Sequence, residues 1–278
     1  CRGRRCPVPL QASGASGSGI GYLYWNRGIS ISNDGILYIA DTVNNRIVYV
    51  SINNPGTEQF FGLGRGSSPR SFDYPCNIHV RNTFIYVLDR SNSRIQKYSV
   101  DGFVPVTMLI TDKAINSFNM FIDENEIVYL SVYYQNTIFR FMPNSSIPLV
   151  TAGNGIAGSA SNQLNKPNGI YVDDTKAIYI ADTSNHRIQK WMFNATFGTT
   201  VAGITADSGS SLTKLSYPES VVVDMNDYMY IVDRGNNRIV RWAPNANSGV
   251  CIAACTSIIG ISAVLFYFPI AVAFHNQG

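Results

Sequence analysis

One motif recurs along this chain and limits its fold more than any other feature: Tyr-x-x-Asp, four further residues, then Arg-Ile. Clean copies run Tyr38…Asp41…Arg46-Ile47, Tyr86…Asp89…Arg94-Ile95, Tyr179…Asp182…Arg187-Ile188 and Tyr230…Asp233…Arg238-Ile239. A degraded copy reads Tyr129…Val132…Thr137-Ile138. The tyrosines at 38, 86, 129, 179 and 230 lie 48, 43, 50 and 51 residues apart, the signature of a repeat protein.

Each copy sits inside a longer shared unit. Upstream, "KPNGIYVDD" (166–174) matches "YPESVVVDM" (217–225), "SFNMFIDEN" (117–125) and the shorter "YPCNIHVRN" (74–82). Pro75, Pro167 and Pro218 fall where a strand begins, a position that tolerates a missing N–H. Downstream comes a short apolar run, such as "PVTMLIT", "IPLVTAG" or "TTVAGI". The unit reads as four short antiparallel strands, the arithmetic of a propeller blade. Composition agrees: charged residues are only 14% and tyrosines number 16, which suits strands and turns better than helices. The expected fold is all-β, a single domain over 1–278. Its full blades are expected near 25–73, 74–116, 117–165, 166–216 and 217–266, with a partial sixth at 267–278.

In a hairpin with a four-residue loop, positions five apart face each other. Asp41 and Arg46, Asp89 and Arg94, Asp182 and Arg187, and Asp233 and Arg238 are thus expected to pair across a ladder. Such pairs contribute about 0.2–1 kcal/mol each. In the degraded copy both members are lost together, as Val132 and Thr137. The pair reads as a fastener rather than a catalytic dyad.

The tetrads Asn185-His186-Arg187-Ile188, Asn44-Asn45-Arg46-Ile47, Asn92-Ser93-Arg94-Ile95 and Asn236-Asn237-Arg238-Ile239 resemble NHL repeats. The resemblance spans roughly residues 22–274 and implies a β-propeller, usually six-bladed, with a central channel. Here five units are full. Pro269 lies 51 residues after Pro218 and starts a sixth, while residues 7–11 align with an outer strand and offer a closing strand from the other terminus. The middle strands of that blade are missing, which suggests a fragment of a longer protein. The uncharged run 250–274 is long enough for a membrane helix, but its repeat spacing, Pro269 and β-branched residues favour a buried sheet.

Reactive constellations are absent from this reading. His79, His186 and His275 occupy different repeat phases, so the histidine-bound metal of the peptide-amidating lyases, which resemble NHL propellers, has no counterpart here. Asp123, Asp173 and Asp224 occupy equivalent places after the inner strands; they are weak calcium candidates, and turn initiation explains them as well. Neither a phosphate loop in its strand-to-helix context nor a Gly-x-Ser-x-Gly elbow occurs. No cofactor is expected. Cys251 and Cys255, about 13 Å apart on an extended strand, are too distant for a mutual disulfide without a bend. They are expected in the core or paired locally with Cys1 or Cys6, with Cys76 the fifth cysteine.

Some NHL propellers bind RNA through a basic face. A net charge of +3 and arginines each opposed by Asp argue against nucleic acid here. Asn144 and Asn194 head glycosylation sequons, meaningful in a secreted protein, a setting favoured over the cytoplasm. The chain begins at Cys1 without Met and has no signal-peptide pattern, so its N-terminus is expected to be incomplete or processed. The leading expectation is a non-catalytic scaffold that binds a protein or peptide through its loop faces. The alternatives are the substrate-binding part of a RING-type E3 ubiquitin ligase and a lyase-like metalloenzyme. The long connections 151–166 and 202–216 are Gly/Ser/Asn-rich and are expected to carry few anchors.

Overall fold

The structure, a computed structural model, describes residues 23–255 and 269–273. Five four-stranded antiparallel sheets follow one another along the chain, and in each the strand order equals the chain order. The first is β1 (Ile29–Ile31), β2 (Ile36–Asp41), β3 (Arg46–Ser51) and β4 (Gln59–Phe61). The second is β5 (Pro75–Arg81), β6 (Phe84–Asp89), β7 (Arg94–Ser99) and β8 (Pro105–Ile110). A short helix, α1 (Asp112–Ile115), leads into β9 (Ser117–Ile122), β10 (Val128–Val132), β11 (Thr137–Phe141) and β12 (Leu149–Ala152). The fourth sheet is β13 (Pro167–Val172), β14 (Ile178–Asp182), β15 (Arg187–Trp191) and β16 (Thr199–Gly203). The fifth is β17 (Pro218–Val223), β18 (Met229–Asp233), β19 (Arg238–Trp242) and β20 (Gly249–Ala253).

The first strands of all five sheets surround one channel, so each sheet is a blade and the architecture is a β-propeller. Strand alternation places two kinds of turn on two faces. The hairpins between second and third strands share a face with the loops that enter each blade. The first-to-second and third-to-fourth turns occupy the opposite face.

The core lies between blades. Ile47, Ile95, Ile138 and Ile188, each following the arginine position, are fully buried, and each joins a different cluster shared with the next blade. Burying such a side chain contributes roughly 1.5–3 kcal/mol. Tyr98, Phe141, Trp191 and Trp242 fill the same gaps lower down. The two indoles donate to the carbonyls of Ala195 and Ala246 in the following turns, so their buried N–H groups are satisfied.

At the C-terminal end, residues 269–273 carry no regular secondary structure, yet Ala271–Ala273 border the channel with the five inner strands. The remainder of the expected sixth unit (267–268 and 274–278) and the stretch 7–11 lie outside the described residues. Among the described residues no helix is long and apolar enough to cross a membrane.

Cys251 and Cys255 form a disulfide, contrary to the expectation from an extended strand. β20 ends at Ala253, and Ala254 adopts φ +53°, which folds the chain back and brings the two Cα atoms to 5.6 Å. Cys76 is a buried thiol, and burial pushes its pKa up to about 12. Cys1 and Cys6 lie outside the described residues.

Candidate functional site

The clean hairpins of the second, fourth and fifth blades turn through a short 3-10 segment and that of the first through a plain turn, and each is closed by one left-handed residue: Asn45, Ser93, His186 or Asn237, at φ +53° to +57°. That turn sets the register in which Asp41 faces Arg46, Asp89 faces Arg94, Asp182 faces Arg187 and Asp233 faces Arg238. In all four, arginine Nε donates to the carboxylate at 2.7 Å, and the aspartate is fully buried.

The carboxylate also accepts from Asn44, Asn92, Asn185 or Asn236, and from a backbone amide of the entering segment, as in Asn165 N to Asp182 Oδ1 at 2.7 Å. Burial pushes the carboxyls of Asp89, Asp182 and Asp233 up; the asparagine, amide and arginine donors pull the other way. Because either partner alone would be a buried charge, removing one member of the pair costs far more than breaking a solvated cross-strand contact.

The arginines reach further than the hairpin. Arg187 donates to the carbonyls of Ser159, Ala160 and Gln163; Arg94 to those of Ser67, Ser68 and Ser71; Arg238 to those of Ser210, Ser211 and Lys214. The entering loops 62–74, 153–166 and 204–217 are therefore gripped by their main chain, and each also buries one apolar side chain completely: Phe72, Leu164 or Leu215. This corrects the impression of loops with few anchors. A clear exception explains itself. The third blade, with Val132 and Thr137, keeps the same register and the same left-handed residue (Asn136, φ +51°), but its entering segment is the short 111–116, which leaves no long loop to hold.

The channel has a volume of about 1020 Å³. Its inner strands are stitched side by side: Ser30 Oγ accepts from Val80 N, Asn77 Oδ1 from Met120 N, Asn119 Oδ1 from Ile170 N, and Asn168 donates to Glu219. Strands approach so closely that a Cβ on Gly169 would stand 2.5 Å from Ser220 Cα. His79, Phe121 and Tyr171 line the middle of the channel with edge-on or tilted ring contacts of 4.8 and 5.4 Å. Burial and the Arg81 charge lower the His79 pKa to about 4, so the ring is neutral near pH 7.

Asp173 and Asp224 border the channel where it opens on the turn face, but each spends Oδ1 on the backbone of its own turn, as does Asp123. Lys176 also lies 3.3 Å from Asp123 Oδ2. Among the described residues no three His, Cys, Asp or Glu side chains converge as a metal site. His186 sits on a hairpin tip, where Nδ1 accepts from Tyr217 N at 3.1 Å, and His275 lies outside the described residues.

The mouth on the hairpin face has a different chemistry. The guanidinium groups of Arg27 and Arg90 lie 4.6 and 4.5 Å from the Phe118 ring centroid. Tyr133 meets Phe118 edge-on at 5.5 Å and Tyr134 at 5.0 Å, and the Lys166 ammonium is 5.9 Å from the Tyr133 ring. Glu219 lies 3.9 Å from Arg234, and burial raises its pKa. The Nε–H groups of Arg27 and Arg90 are buried and donate to no acceptor among the described residues. Arg234 and Arg27 thus act on the Glu219 carboxylate, while Arg90 and Lys166 lie over the neighbouring aromatic rings.

Sequence reasoning passed over these residues. Arg90, Tyr133 and Arg234 follow the aspartate position, where the other blades carry Thr42 and Thr183; Phe118 and Glu219 share a position with Cys76 and Asn168. Positions that vary inside an otherwise repeated motif were the available signal.

Blades, channel and hairpins together define a β-propeller. The NHL repeat model matches residues 164–191, in the fourth blade, and the other blades repeat the same hairpin motif. The human NHL repeat-containing protein 3 is 27% identical over 114 residues, covering 39% of this chain and 32% of that protein. The chain therefore spans about a third of the length of the curated relative it matches. Among solved structures, a structural genomics protein of unknown function from Bacteroides thetaiotaomicron superposes with a TM-score of 0.72 at 14% identity, over 92% of this chain and 66% of that one. A chain of the nidogen/laminin complex superposes with a TM-score of 0.63 at 16% identity, over 81% and 78%.

Proposed function

We propose that this propeller is a non-catalytic binding module that receives an acidic segment of a protein partner at the channel mouth on the hairpin face. One observation carries the reading: Arg27 and Arg90 converge on Phe118 with buried Nε donors that meet no acceptor among the described residues. A buried donor without an acceptor costs about 1–3 kcal/mol, so an incoming carboxylate that takes both would recover that cost. Phe118, Tyr133 and Tyr134 supply the rigid aromatic surface typical of binding hot spots. The likeness in fold to a chain of a nidogen/laminin complex is consistent with a propeller that engages a protein.

A nucleic acid is the poorer fit. The cationic mouth has a carboxylate, Glu219, in its midst, whereas phosphate backbones call for a basic stripe.

The test uses peptides of eight Glu or eight Gln residues in fluorescence anisotropy at low salt. The Glu peptide should bind, the Gln peptide should not, and Arg27→Ala with Arg90→Ala should weaken binding at least tenfold. A single-stranded RNA octamer that binds with the same arginine dependence while the Glu peptide does not would overturn the protein reading. Equal binding of both peptides would remove the carboxylate.

A further inference from the structure

The chain contains two sequons, Asn144-Ser145-Ser146 and Asn194-Ala195-Thr196, and both fall on the same turn of consecutive blades, the link from third to fourth strand. Ser145 N donates to Met142 O at 3.1 Å and Ala195 N to Met192 O at 3.0 Å, which closes two four-residue turns. The asparagines occupy the third position at φ +59° and +58°. Asparagine suits that conformation without any modification. The corresponding turn of the fifth blade demonstrates this: Asn245 adopts φ +57° there, followed by Ala246-Asn247, with no hydroxyl at the sequon position.

Turn geometry thus accounts for the asparagines but not for Ser146 and Thr196. Both are exposed, and neither hydroxyl makes a hydrogen bond to the described protein. Asn144 is exposed as well, with an amide that has no protein partner, and Asn194 is exposed with only a 3.5 Å approach from Arg140. In the fourth blade the turn is held rigid from beneath, because Ala195 O accepts from the Trp191 indole. The Cys251–Cys255 disulfide belongs to an oxidising compartment, where N-glycosylation also takes place.

We infer that Asn144 and Asn194 carry N-linked glycans. In that transfer the side-chain nitrogen bonds to the anomeric carbon of a lipid-linked oligosaccharide while the bond from that carbon to the lipid pyrophosphate breaks. The pyrophosphate leaves with the lipid, and the amide nitrogen gives up one proton. Both glycans would stand on the turn face, at the rim of the third and fourth blades, opposite the arginine-lined mouth. They would shield that rim from other proteins and leave the hairpin face open.

The experiment directs the whole chain into the secretory pathway of cultured animal cells and reads both lysate and medium, so that retention in the cell does not hide the result. Treatment with a peptide N-glycosidase should shift the band by two glycans and convert Asn144 and Asn194 to aspartate by mass. Ser146→Ala and Thr196→Ala, which leave both turns intact, should each remove one glycan, and together they should abolish the shift. Unmodified asparagine at both positions in chain that has formed its disulfide would overturn the inference, as would a shift unaffected by the two alanine substitutions.

Discussion

Replacing Arg187 by methionine should destabilise the propeller by about 3–5 kcal/mol, the usual cost of breaking a buried ion pair by removing one member. The magnitude follows from what the change leaves behind. Asp182 is fully buried and would retain only Asn185 and the Asn165 amide as donors, with no counter-charge at 2.7 Å. The carbonyls of Ser159 and Ala160 are on exposed residues and would be taken up by water, so their loss adds little to unfolding but releases the loop. For a domain of this size the expected fall in Tm is roughly 6–20 °C.

A double variant, Asp182→Val with Arg187→Thr, reproduces the third blade's own pair and should recover to within about 1–2 kcal/mol of the parent, since no lone charge remains. Loop release separates the two roles of the arginine. In both variants the Gly158 and Gln163 amides, hydrogen-bonded within the loop, should lose protection from deuterium exchange. Chemical denaturation gives the first quantity and exchange by mass spectrometry the second. A cost below about 1 kcal/mol for Arg187→Met, as for a solvated cross-strand pair, or unchanged exchange in 153–166, would refute the reasoning.

Other consequences are open to test. The His79 pKa falls from 6.5 to about 4 in the folded chain, so its contribution to stability is present above pH 6.5 and is lost as pH drops towards 4. That loss approaches about 3 kcal/mol, and His79→Gln should flatten the stability curve over this window; parallel curves would contradict the assignment. Gly169→Ala should cost about 1–3 kcal/mol by forcing β13 from β17, whereas Gly102→Ala, with nothing within 4 Å, should be near neutral by denaturant midpoint. Reduction of Cys251–Cys255, a closed loop of sequence separation 4, should cost about 2 kcal/mol, read as a shift in Tm with and without reductant; no shift would show that the clasp bears no strain of unfolding.

The fold was legible because strand period, turn residues and repeat spacing all point to the same blade, and the register of Asp182 with Arg187 follows from counting across a four-residue loop. The strength of that pair was not legible. Period and spacing say that two side chains face each other, while their desolvation depends on the entering loop, a segment distant in sequence. Leu164 and Leu215 are each three residues before a strand-opening proline, as is Phe72, so the buried plug of every long loop was written in the sequence beside a feature already noticed.

The disulfide escaped because one left-handed residue, Ala254, undoes an extended-strand distance, and alanine carries no warning of positive φ. The mouth escaped for the opposite reason: it is assembled from positions that do not repeat. Arg27, Arg90, Phe118 and Glu219 come from different blades, and only closure of the ring brings them together.

The arginine clasp seizes carbonyl oxygens, which every amino acid possesses, and this frees the clasped segments from compositional control. Ser159-Ala160 and Ser210-Ser211 are secured alike, with Gln163 in one loop standing where Lys214 stands in the other. A foreign segment of matching length, grafted between the outer strand of one blade and the plug residue of the next, should seat in the same socket, which makes this ring a ready frame for displaying new recognition surfaces.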